Sequence, residues 1–141
     1  MNYRADKITD IVGGKWLNKP APGDEIHFLL VDSRQLQNPA RSLFFALKGS
    51  RQDGHTFIAD LYVKGVRNFL VSQHVDVDQI SEANIILVDD VLAALQSIAA
   101  FHRRNFDLPV IAITGSNGKT VVKEWLFQLL HFDHHIVKSP R

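Results

Sequence analysis

Six consecutive residues, Gly115-Ser116-Asn117-Gly118-Lys119-Thr120, carry the clearest chemistry in this 141-residue chain. The two glycines let the backbone fold tightly enough for several N–H groups to point at one anion. An apolar run at residues 110–113 precedes them. A segment with apolar residues at helical spacing follows, with Val122, Trp125, Leu126, Leu129 and Leu130 on one face. A loop between a buried strand and a helix N-terminus favours phosphate, because the helix dipole and the unpaired amides both attract negative charge. In that setting Lys119 is expected against the β and γ phosphates of ATP, and the Thr120 hydroxyl as a ligand of Mg2+. The general phosphate loop has a glycine five residues before its Gly-Lys pair. Here that position is Ile113, so the loop is of a shorter kind. A glycine-rich turn with a solvated lysine is the competing reading.

A second set of polar residues follows other apolar runs. Asp32-Ser33-Arg34 comes after residues 26–31, and Ser50-Arg51-Gln52 after residues 42–47 and Lys48-Gly49. Asp53-Gly54-His55 comes next. Polar residues just past strand ends are where α/β sheets meet ligands. They also have structural readings: Asp32 can cap its own turn, and Asp53 can cap a helix.

The elements that must position these residues alternate. A short helix over residues 5–12 is expected to stop at Gly13-Gly14, where glycine supplies positive φ. Residues 19–24 read as a loop. Strands are expected at residues 26–31, 42–47, 66–72 and 85–88. A helix at residues 56–64 stops at Gly65, and a longer one opens at Asp89-Asp90 with Val91, Leu92, Leu95, Ile98, Ala99 and His102 on one stripe. A strand at residues 110–113, a helix at about 118–130 and a strand at 136–138 complete the chain. The order indicates an α/β fold with a boundary near Val88, giving units 1–88 and 89–141. One strand, one helix and one short strand cannot close a sheet covered on both faces. The second unit therefore reads as the start of a domain, and the chain as the N-terminal piece of a longer protein.

Composition is that of a globular protein, with 45% hydrophobic and 22% charged residues. A net charge of +1 argues against a nucleic-acid surface. The absence of cysteine excludes disulfides and thiolate metal sites. No apolar run approaches the roughly 20 residues that span a bilayer, and none follows the N-terminus as in a signal peptide. No membrane insertion and a cytoplasmic location are expected. His131, His134 and His135 lie on different elements and are not expected to converge on a metal. Trp16 and Trp125 are expected in the core.

Thr114-Gly115-Ser116-Asn117-Gly118-Lys119-Thr120 resembles the nucleotide loop of the Mur ligases, ATP-dependent amide-forming enzymes of peptidoglycan synthesis. Folylpolyglutamate synthases have a similar loop. The upstream blocks Asp32-Ser33-Arg34, Ser42-Leu43-Phe44-Phe45-Ala46-Leu47-Lys48-Gly49 and Asp53-Gly54-His55-Thr56-Phe57-Ile58 resemble the UDP-binding domain of the Mur ligases that add the third residue and the terminal dipeptide. Val121-Val122-Lys123-Glu124 is more similar to the dipeptide-adding branch. Residues 61–69 are most similar to the members of that branch fused to an alanine racemase.

The resemblance implies a small UDP-binding α/β domain, followed by the first strand–loop–helix–strand of an incomplete ATP-binding domain. It implies ATP and Mg2+ as cofactors, and UDP-N-acetylmuramoyl-tripeptide and D-alanyl-D-alanine as partners, with the rest of the ligase chain supplying central and C-terminal domains. Thr114 to Thr120 would bind ATP, with Lys119 catalytic. Ser33, beside Arg34, would hydrogen-bond the uridine diphosphate portion, and Val31 would line the uracil. Ser50, Arg51 and Gln52 would contact uracil and ribose, or Arg51 would pair with a diphosphate oxygen. His55 would lie near the ligand. The downstream magnesium ligands and the closing domain of the family are absent from these 141 residues, so amide formation by this chain alone is not expected.

Overall fold

A computed structural model describes residues 2–50 and 52–140, and they form two compact units, Met1–Phe106 and Asp107–Arg141. The elements of the first are β1 (Tyr3–Arg4), α1 (Ala5–Val12), β2 (Lys15–Asn18), β3 (Glu25–Ile26), β4 (Phe28–Leu30), β5 (Ser42–Phe45), α2 (Ile58–Val63), β6 (Asn68–Val71), β7 (Asn84–Leu87) and α3 (Val91–Arg103). The five-stranded sheet has the order β2-β7-β6-β5-β4. Strands β4 to β7 are parallel, and β2 closes the β7 side in the antiparallel sense.

Every side chain of β5 and β6 is buried, as a sheet covered on both faces requires. Leu43, Phe45, Leu70 and Ile86 face α1 and α3, against Ile8, Val91, Ala94 and Ile98. Phe44, Phe69, Val71 and Ile85 face α2, against Ile58 and Leu61, with the Phe44 and Phe69 rings edge to face at 6.3 Å. The period of two along each strand thus sorts one apolar run into two cores.

The helix limits follow from single residues. Gly13, at φ 62°, ends α1 and donates its N–H to the Asp10 carbonyl. Gly65, at φ 96°, follows α2. The Asp90 carboxylate opens α3 by accepting from the N–H groups of Leu92 and Ala93 at 2.7 and 3.1 Å.

The structure departs from the sequence reading in several places. The expected strand 26–31 is split at His27, because Ile26 pairs with β1 in a separate two-stranded sheet while Phe28 pairs with β5. Lys15–Asn18 is a strand that the reading passed over, and its Trp16 is partly buried against the first core. Helix α3 packs into the core of the first unit through Val91, Ala94 and Ile98, so the compact units divide after Phe106 rather than near Val88.

In the second unit, α4 (Lys119–Leu130) forms as expected, but residues 110–113 and 136–138 are not in strands. A strand needs a laddered neighbour, and the described residues of this unit supply none. Trp125 is 63% exposed rather than in a core, with Val121, Val122 and Leu129 also exposed.

Placing α3 in the first core has a measurable consequence. Ile98→Ala should destabilise the unit by about 2–5 kcal/mol in urea unfolding followed by circular dichroism, the usual cost of emptying a fully buried aliphatic site. A change below about 0.5 kcal/mol would contradict that packing.

Candidate functional site

Parallel strands release the chain on one edge. The segments that follow β4, β5 and β6 therefore converge at their carboxyl ends. After β4 the chain passes Val31, which is 48% exposed, and turns through a 3-10 segment at Ser33–Gln35. Asp32 builds that turn. Its carboxylate accepts from the Arg34 N–H at 3.0 Å and receives the Arg34 guanidinium as a fork, Nε at 2.9 Å and Nη2 at 2.7 Å. The structural reading of Asp32 as a cap thus holds. Ser33 is half-buried within the turn. The Arg34 side chain is largely exposed, oriented by Asp32.

The segment after β5 is a tight hairpin. Lys48 bridges to Asp53, and the Gly49 N–H donates to the Gln52 carbonyl at 2.9 Å. Ser50 and Gln52 are exposed on it, while Arg51 lies outside the described residues. The hairpin returns to its own strand at Gly54, whose N–H donates to the Leu47 carbonyl at 2.8 Å. A Cβ on Gly54 would meet the Leu47 nitrogen at 2.7 Å, which only glycine avoids.

Asp53 caps the 3-10 segment Gly54–Phe57 through the His55 N–H at 3.0 Å. The His55 ring has a nearly buried side chain, 6% exposed. Nδ1 lies 2.6 Å from the Asp53 carboxylate, and Nε2 accepts from the Ser72 N–H at 3.1 Å. Both ring nitrogens that the sequence offered to a ligand are therefore held by the protein.

Two carboxylates here stay ionised below the ordinary range. The Arg34 side chain, and next its backbone N–H, hold Asp32 down to about 2. For Asp53 the backbone N–H of His55 is the main cause and the His55 ring the second.

In the second unit, Gly115 (φ 148°) and Gly118 (φ 77°) bend the phosphate loop, and Lys119 begins α4. No side chain caps this helix start. The Lys119 ammonium donates to the Gly115 carbonyl, which folds the lysine over its own loop. Thr120 is exposed in the first turn. The His131 ring nitrogen lies beside the Phe127 and Gln128 carbonyls, and no metal-type cluster occurs among the described residues.

The family model described as "Mur ligase family, catalytic domain" matches residues 25–103, more than half of the chain. The chain belongs to the Mur ligase family. The matched span covers β3 through α3 and so includes the converging edge. Over 132 residues, 94% of this chain, it is 35% identical to the UDP-N-acetylmuramoyl-tripeptide–D-alanyl-D-alanine ligase of Bacillus subtilis, and spans 28% of that enzyme. A crystal structure of MurF from Acinetobacter baumannii superposes with a TM-score of 0.81 at 33% identity, over 94% of this chain and 28% of that one. The MurF ligase of Thermotoga maritima in complex with ADP superposes with a TM-score of 0.69 at 29% identity, over 81% of this chain and 25% of that one. This Mur ligase chain is thus about a quarter the length of these relatives. No helix among its described residues is long and apolar enough to cross a membrane.

The Asp32–Arg34 clamp makes a pH prediction. A depressed folded-state pKa adds stability above the unfolded value, near 3.8, and loses it as pH falls through the folded value, about 2. In carbon-detected NMR the Asp32 carboxyl should titrate near 2 in the intact chain. Arg34→Ala should move the midpoint up toward 3.8, and an unmoved midpoint would contradict the clamp.

Proposed function

We propose that this chain is the UDP-substrate-recognising part, and the beginning of the ATP-binding part, of a ligase that joins D-alanyl-D-alanine to UDP-N-acetylmuramoyl-tripeptide. One observation carries this reading: Asp32-Ser33-Arg34 and the 48–54 hairpin emerge side by side from adjacent parallel strands, on the edge where α/β sheets take ligands. The identity to the Bacillus subtilis ligase supports the choice of dipeptide. On this reading Ser33 donates to the uridine diphosphate portion, and Val31 offers an apolar wall to the uracil. Ser50, Arg51 and Gln52 contact the base and ribose. Arg34, aimed by Asp32, adds positive charge near the diphosphate.

The reaction would run through an acyl phosphate. A carboxylate oxygen of the tripeptide attacks the γ phosphorus of ATP, and ADP leaves. The dipeptide amine then attacks the activated carbonyl, loses a proton and expels inorganic phosphate. The transferred group carries charge that must be neutralised, and Lys119 at the start of α4 is the residue of this chain suited to it.

The glycine-bent loop, its uncapped helix start and Lys119 fit a phosphate ligand. Thr120 fits a magnesium ion as a single hydroxyl ligand, and the ion would add Lewis-acid charge at the γ phosphate. Gly115, Ser116, Asn117 and Gly118 would offer backbone N–H groups, with Thr114 leading into the loop. Use of cytoplasmic ATP and UDP-linked precursors makes the cytoplasm the setting.

Isothermal titration of UDP-N-acetylmuramoyl-tripeptide into the 141-residue chain should give saturable heat. Ser33→Ala should weaken it about fivefold, the worth of roughly one hydrogen bond. No heat with the native chain would remove the substrate assignment. ATP hydrolysis by this chain alone, abolished by Lys119→Ala, would point instead to an independent nucleotidase.

A further inference from the structure

We propose that His55 is a positioning residue: its neutral ring ties the hairpin after β5 to the segment after β6, and so sets the loop that meets the UDP portion of the substrate. This inference rests on the substrate reading given above. It starts from hydrogen-bond direction. The Ser72 backbone N–H can only donate, so Nε2 of His55, 3.1 Å away, must be an unprotonated acceptor. The ring proton is then on Nδ1, where it is donated to the Asp53 carboxylate at 2.6 Å. The fixed tautomer uses both nitrogens, and burial of the ring leaves little room for another arrangement.

The lock joins two ligand-side segments that share no sequence neighbourhood. On one side, Asp53 closes the 48–53 hairpin against Lys48, and Gly54 seats it on the Leu47 backbone. On the other side, Ser72 is the first residue after β6, and Gln73 follows it into a shallow cleft of about 350 Å³ bordered also by Asp53, Thr56, Asp76 and Gln79. The ring thus adds a tie from outside the hairpin to its own turn bonds and to the Gly54–Leu47 seating.

The test is isothermal titration of UDP-N-acetylmuramoyl-tripeptide into the 141-residue chain, with amide exchange of Ser72 measured by NMR on the same samples. His55→Gln, which retains an acceptor for Ser72, should bind within about threefold of wild type and keep Ser72 protection. His55→Phe should bind about tenfold more weakly and lose that protection.

Native affinity in a folded His55→Phe variant, or no recovery of affinity in His55→Gln, would overturn the proposal. An absence of heat with wild type would overturn the substrate reading instead. The exchange measurement then decides the lock without substrate: Ser72 protection unchanged in His55→Phe would overturn it.

Discussion

Strands β4, β5, β6 and β7 all run the same way, and the rest of the first unit follows from that constraint. Each strand must be followed by a crossover that returns the chain to the opposite edge. Apolar side chains then fill both faces, as in the fully buried β5 and β6. Polar segments follow the strands at their carboxyl ends. There Asp32-Ser33-Arg34, the 48–54 hairpin and Ser72 come together, although up to 40 positions separate them in the chain.

Local electrostatics then shape that edge. Asp32 and Asp53 play parallel parts: each caps a 3-10 segment through a backbone N–H two residues on, and each holds the side chain of that same residue. In one case the held group is a guanidinium on the surface. In the other it is a nearly buried imidazole with a second partner on another segment. The same short motif thus yields an exposed, oriented charge after β4 and an internal tie after β5. The phosphate loop of the second unit uses a different device, two glycines with positive φ and a lysine bonded back to the loop.

Much of this was legible because single residues carried it. Gly13, Gly65 and Asp90 mark helix ends through φ and capping, which need no tertiary partner. Asp32 and Asp53 were readable as caps for the same reason. What depended on distant partners was not readable. The break at His27 exists because Ile26 and Phe28 pair with different sheets. The strand at Trp16 exists because β7 offers an edge. The tie from His55 to Ser72 joins positions 17 residues apart through a backbone amide, which leaves no trace in side-chain type. Residues 110–113 have a strand's composition, yet a strand is completed by its neighbour and not by its own residues.

The central claim is that the carboxyl edge of the parallel sheet is the face that receives a UDP-linked substrate. Chemical-shift mapping on the 15N-labelled chain with UDP-N-acetylmuramoyl-tripeptide addresses it most directly. The account predicts saturable shifts confined to residues 31–35, 49–55 and 72–73, with residues at the opposite edge, such as Ala21 and Asn84, unmoved. Shifts centred on that opposite edge, or none at saturating substrate, would contradict it.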